Sequence, residues 1–361
     1  MNYIILSAIV IIFSYVYELL KNTGRLSRGA RVLFCGVICF ALCLFAGLRT
    51  EYNDTGAYIR DFENTPSDFA SIFSDNFSLS GVYLFKIWGY LIYHLISHNS
   101  IVFLFLSAMV FVCPAISLID KYSKNFTLSM ILFMFGGMYL FSLAGLKQAM
   151  ATGVIMMGLP KLFDKKYFSY YLFCILSLGF HTYSIFFLIL PLLGSEVFNK
   201  RTVLFCISII VVGVLLSFFS SAITTIIDFL GKDVEEETLL SGSVNILRAL
   251  VFMVPLALTI IGRKNLSLAT SHEKWLLKIG VLSSIFMVLA LFGNPILFGR
   301  IPQYFLIGIV VTLPLLISKA FSKRDQLLIL FIAVLCYIIF GVYSLHIDGA
   351  FVKDIFRLTW F

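Results

Sequence analysis

Unbroken apolar blocks, most of them about 17 to 20 residues long, constrain this chain more than anything else in it. They run from about 3 to 20, 32 to 48, 101 to 119, 126 to 144, 147 to 160, 167 to 194, 202 to 219, 246 to 261, 275 to 292, 301 to 318 and 327 to 345. A helix rises about 1.5 Å per residue, so blocks of this length cross the ~30 Å hydrocarbon core of a bilayer. Outer-membrane strands alternate apolar and polar residues over short segments, and these blocks do not. With 60% hydrophobic residues, 13% charged residues and a mean hydropathy of +0.99, the chain is more apolar than a soluble globule. The expected fold is an all-α polytopic transmembrane bundle of about 11 to 12 membrane helices, filling 1–361 as a single integral membrane domain.

Charge sets the expected topology. Lys21, Arg25, Arg28 and Arg31 between the first two blocks mark a cytoplasmic loop, which puts the N-terminus outside. Lys121/Lys124, Lys161/Lys165/Lys166, Lys200/Arg201, Arg263/Lys264/Lys274 and Lys319/Lys323/Arg324 then fall inside too, on two conditions. The amphipathic block 81 to 97, with Lys86, His94 and His98, must be interfacial or re-entrant and not spanning. Block 167 to 194 must go up and come back, as a hairpin with His181 near its outer apex, broken at Gly179-Phe180-His181-Thr182. Residues 49–100 become an outer loop, and 220–245 a second, acidic outer loop. The first block lacks a basic start and a small-residue cleavage site, so it reads as a retained helix. The net charge of +8 lies in short clusters between blocks, a pattern of topology signals with no nucleic-acid partner implied. The cysteines, Cys35, Cys39 and Cys43 on one helix face among them, sit inside apolar blocks as packing residues.

Nine basic residues break the pattern by facing outward, Arg49, Arg60, Lys86, Lys147, Lys232, Arg248, Arg300, Lys353 and Arg357, and four of them lie at or within helix ends: Arg49, Lys147, Arg248 and Arg300. Each would cost roughly 2.5 to 3.5 kcal/mol at a helix centre, and less near the interface. Any one of them can snorkel or pair with a loop carboxylate. Four on one side point to an anion-binding cavity, and the arginine fork matches phosphate oxygens, so a lipid diphosphate head group is the natural polyanion. Arg49 opens the densest stretch of charge, Gly47 to Tyr58, with Asp54 and Tyr58 close behind. Lys147-Gln148-Ala149 follows Gly145 at a helix start, where the helix dipole also favours an anion. Asn294-Pro295 and Pro302 flank Arg300, either as irregular backbone lining a cavity or as simple helix boundaries. His94 and His98 share a helix face without a third ligand, and no Asp-x-Asp spacing occurs; no metal and no cofactor is expected.

Gly-Leu-Arg ending at Arg49, then Asp54 and Tyr58, a basic-Gln-Ala helix start, a lone His181 in an apolar block, and Arg300 with Tyr304 together resemble the EpsG family. The resemblance spans roughly 40 to 310, with Lys147-Gln148 where that family usually shows Arg-Gln. That exchange keeps the charge and loses the bidentate fork.

The family is akin to Wzy-type O-antigen and capsule polymerases, and the likeness implies a glycosyltransferase related to membrane-embedded enzymes of GT-C-like architecture. The implied substrates are an undecaprenyl-diphosphate-linked oligosaccharide donor and acceptor, joined on the outer face of the bacterial cytoplasmic membrane. A chain-length regulator and a flippase are implied partners, beside membrane lipid. On this reading Arg49, Lys147, Arg248 and Arg300 bind the diphosphate, Asp54 or His181 is the base, and Tyr58, Gln148 and Tyr304 line the substrate site. A flippase for the same lipid, an O-antigen-ligase-like transferase and a transporter for a small organic anion remain alternatives.

Overall fold

The computed structural model describes residues 3–73, 83–218, 244–266, 269–292 and 298–347. The acidic stretch 220–245 lies outside the described residues but for its last two positions, as do Lys232, Asn294, Pro295, Lys353 and Arg357. Among the described residues the chain is helical and has no strand. Helices α1 (Tyr3–Asn22), α2 (Arg28–Gly47) and α5 (Ser100–Tyr122) are followed by the short α6 (Phe126–Phe135), α7 (Met138–Ala144), α8 (Leu146–Phe163) and α9 (Tyr167–Leu178). Between α2 and α5 come α3 (Thr55–Glu63), a 3-10 turn (Phe69–Phe73) and α4 (Tyr83–Leu95). A 3-10 segment (Thr182–Ile189) leads through α10 (Leu190–Leu193) to α11 (Lys200–Phe218). The last third contains α12 (Ile246–Ile261), α13 (Arg263–Leu266), α14 (Ser271–Phe292), α15 (Ile301–Tyr304), α16 (Leu306–Ala320) and α17 (Lys323–Ile347).

Five helices, α1, α2, α5, α14 and α17, are long and apolar enough to cross a membrane, and α6 with α7 forms a sixth such unit bent by 40°. The bend falls at Gly136-Gly137, where Gly137 takes a φ of 91°, a conformation that favours glycine. Shorter apolar helices, α9, α12 and α16 among them, pack between these. Ile5, Ile12, Val32, Leu33, Leu204, Leu327 and Phe331 are exposed on the outer helices, an apolar girdle suited to lipid.

Glycines let the inner helices approach closely. A Cβ at Gly153 of α8 would lie 2.1 Å from Val110 O of α5, and one at Gly308 of α16 would lie 2.3 Å from Gly280 N of α14. The face of α2 carrying Cys39 and Cys43 packs against α5 beside Cys113.

One end of the bundle collects the basic loops. Asp120 at the end of α5 pairs with Arg31 at 2.7 Å and with Lys21 at 3.6 Å, and accepts from Tyr17. Lys124 reaches Glu273 at 3.0 Å, Lys274 reaches Glu196 at 2.7 Å, and Asn265 donates to Lys319 O at 2.7 Å. Lys278, fully buried in α14, donates to the carbonyls of Leu193 at 3.0 Å and of Gly194. A cation at the carbonyl end of α10 satisfies exposed C=O groups, which accounts for its burial.

At the opposite end, a Cβ on Gly47 would come within 3.1 Å of Ile101 O, so α2 ends beside the start of α5. Residues 48–99 therefore leave and re-enter the bundle at the same end. Among the described residues helix α4 runs for 13 residues, about 20 Å. Block 167 to 194 does reverse. Tyr170 Oη donates to Phe187 O at 2.8 Å across 17 residues, which a straight helix would hold about 25 Å apart.

Candidate functional site

The shorter helices stop where the polar residues begin. Helix α8 starts after Gly145, α9 ends before His181, α12 starts just before Arg248, and α16 follows the single turn of α15. Irregular backbone at these ends is tolerated because it lines a hollow. The hollow has a volume of about 340 Å³ and is lined by Asn53, Asp54, Gln148, Arg248, Gly299, Arg300 and Gln303, with Phe141, Ala144 and Gly145 as its apolar wall. A second cavity of about 290 Å³ shares Asn53, Phe141, Ala144, Arg248 and Gln303 with it and continues to Asn245, Phe252, Phe340, Tyr343 and Ser344.

Asp54 stands at the N-cap of α3, but its carboxylate makes no capping bond. Asn53 precedes it with a φ of 47°, in the left-handed region that Asn tolerates better than most residues. Asp54 is thereby turned, exposed, into the hollow. Arg300 is exposed at the N-cap of α15; its carbonyl accepts from the Gln303 N–H at 3.2 Å, and among the described residues no hydrogen bond or ion pair engages its guanidinium. The Arg248 guanidinium lies over the Phe252 ring at 5.9 Å, with Nη2 3.5 Å from Gly299 O. Gln303 is 5% exposed and its Oε1 is buried without a hydrogen-bond partner.

His181 faces the same region through a hydrogen-bonded chain. The Tyr183 backbone N–H donates to His181 Nδ1 at 3.3 Å, and Tyr304 Oη lies 2.7 Å from the same nitrogen. A backbone N–H can only donate, so Nδ1 carries the lone pair and the neutral ring is protonated at Nε2. That Nε2 lies 3.4 Å from the amide nitrogen of Gln148, so with the ring in this tautomer the two bond once the amide is turned to present its Oε1. The ring therefore offers a donor, not an acceptor, towards Gln148.

Arg49, expected to face phosphate, is instead 1% exposed and lines none of these cavities. Its Nε donates to Thr55 Oγ1 at 3.0 Å and its Nη1 to Ala46 O at 2.5 Å, while Nη2 is buried without a partner. Thr55, which in turn donates to Tyr52 O at 2.7 Å, holds this guanidinium; Asp54 does not. Burial lowers the pKa of Arg49 to about 10, so it stays a cation at neutral pH.

Tyr58, one turn along α3 from Asp54, is buried. Burial, then the nearby Asp54, pushes its hydroxyl up to about 12. Lys147 lies on the far side of it, with Nζ 5.9 Å from the Tyr58 ring and 5.2 Å from the Phe85 ring, in a third cavity of about 330 Å³. The structure thus brings Asp54, Gln148, Arg248 and Arg300 to one hollow, with His181 and Tyr304 joined to it through Gln148. Lys147 is set behind Tyr58, and Arg49 beneath the loop. Asn53, Asn245 and Gln303 were not singled out from sequence; the one available signal was Gln303, between Arg300 and Tyr304 in a Pro-broken turn.

These features define a multi-pass helical membrane protein with a cationic, carboxylate-bearing hollow at the end opposite its basic loops. The chain belongs to the EpsG family, whose model matches residues 32–356, and members of that family are Wzy-like polysaccharide polymerases. The family implies lipid-linked oligosaccharide substrates in the membrane. No curated protein and no solved structure matches the chain.

Proposed function

We propose that the protein joins undecaprenyl-diphosphate-linked repeat units into a surface polysaccharide by glycosyl transfer on the outer face of the cytoplasmic membrane. The observation that carries this is the convergence of Arg248, Arg300, Asp54 and Gln148 on one hollow. Arg248 and Arg300 hold the donor diphosphate and stabilise the charge that grows on it as the anomeric C–O bond breaks. The acceptor hydroxyl oxygen forms the new bond to the anomeric carbon. Asp54 takes the proton of that hydroxyl, and undecaprenyl diphosphate leaves.

His181 and Tyr304 keep Gln148 oriented towards the hollow. Arg49 acts one layer back, holding the turn that presents Asp54, and Lys147 adds positive potential from behind Tyr58. Replacing Arg248→Ala or Arg300→Ala should each cut long-chain glycan about a hundredfold, the effect of losing roughly 3 kcal/mol of transition-state stabilisation, while membrane insertion is unchanged. Normal chain-length distributions in both variants would overturn the proposal.

A further inference from the structure

The third cavity lies apart from Arg248 and Arg300, and Lys86 and Lys147 are its only cations among the described residues. Its wall is aromatic: Phe62 and Phe103 stack with centroids 4.5 Å apart, and Phe85 meets Tyr58 and Phe103 edge-on, at 5.7 Å in each case. Its rim is polar, with Asp61, Asn64, Thr65, Ser71 and Lys147. Aromatic faces with a few hydroxyl and carboxylate partners suit a pyranose, whose C–H faces stack while its hydroxyls hydrogen-bond. The floor includes Gly89, where an added Cβ would meet Phe103 at 3.8 Å and Phe62 at 3.9 Å, ordinary contacts. A longer side chain there would fill the cavity without forcing the backbone.

Position says which sugar. Asp54, Tyr58 and Asp61 fall at i, i+4 and i+7 along α3, one stripe running from the hollow into this cavity. Lys147 and Gln148, consecutive on α8, face the two cavities in turn. A sugar in the third cavity therefore approaches the hollow from the side of Asp54, the side from which a hydroxyl must come to give up its proton there.

We propose that the cavity between α3 and α4 is the acceptor-saccharide subsite, binding a pyranose next to the attacking residue of the acceptor glycan. This rests on the polymerase reading for the word acceptor, though not for the sugar.

The probe is the repeat-unit oligosaccharide cleaved from its lipid, titrated into the purified full-length protein in nanodiscs and followed by saturation-transfer NMR. Gly89→Leu should weaken binding at least tenfold, and Asp61→Asn several-fold, while Arg300→Ala binds as the wild type does. Asp61 is an exposed residue at the rim, so its variant reports on the subsite even should Gly89→Leu fail to fold. Wild-type affinity in both cavity variants would overturn the subsite. So would loss of binding in Arg300→Ala, which would put the sugar at the phosphates, or no saturable binding by the wild type. Glycan chain length in cells tests the polymerase separately. Should the wild type bind the lipid-free sugar but its loss leave chain length untouched, the polymerase reading fails and the sugar site stands.

Discussion

The Arg49 guanidinium shows how a single buried cation can be explained without substrate. Its two bonds to Thr55 and Ala46 use the fork geometry, which an ammonium on a different stem cannot reproduce. Arg49→Lys should therefore lower the thermal midpoint in detergent by several degrees and reduce polymerisation, whereas Arg300→Lys should leave the midpoint unchanged. An unshifted midpoint for Arg49→Lys would remove its positioning role. At the proton-transfer step, Asp54→Asn should lose at least a hundredfold in turnover with donor lipid still bound, and His181→Ala should lose less, because Nδ1 is already occupied by Tyr183 N–H and Tyr304. Equal losses in a single-turnover assay would restore His181 as a candidate base. Arg248, Arg300, Asp54 and Gln148 were legible as polar residues at the ends of apolar runs. Thr55 as the holder of Arg49 was not, because a cation in a sequence invites a search for a carboxylate and a hydroxyl gives no such signal. Gln303, Asn53 and Asn245 escaped for a related reason: neutral amides carry little of the burial penalty that makes a charge conspicuous.

Each apolar block reappears as a helix, a bent pair or, for 167 to 194, two packed segments of opposite direction. What periodicity could not foresee is where helices stop. The bend between α6 and α7 depends on a positive φ at Gly137, and the start of α8 depends on Gly145. Block 301 to 318 is likewise broken at Phe305, after a turn begun by Pro302, and this break is what turns Arg300 and Gln303 into the hollow. Close helix approach is just as local. Gly153→Ala would place a methyl carbon at 2.1 Å from Val110 O, so α8 must move away from α5. The expected cost is about 1 to 3 kcal/mol, with activity falling as Gln148 shifts; a thermal midpoint equal to that of the wild type would show that the two helices yield freely.

The salt bridges of Asp120, Glu273 and Glu196 tie the basic loops into one end of the molecule, and the hollow lies at the other. If the basic end faces the cytoplasm, a reporter that is active only outside should be active when fused after residue 65 and silent when fused after residue 165. The opposite pattern would place the hollow inside and remove any role on flipped substrates. That grouping of charges was legible, since topology signals act over whole loops; the meeting of Arg248 and Arg300, brought by different helices, was an expectation that only packing could realise. The return of residues 48–99 to the end they left has its own consequence for the chain as a whole. A segment that makes no net crossing is neutral in parity: lengthening it, shortening it or exchanging it leaves every later helix running in its original direction. The stretch beyond Asp54 that walls the α3–α4 cavity can thus vary, while Asn53 and Asp54 at its start and the arginines carried by later helices keep the hollow in place.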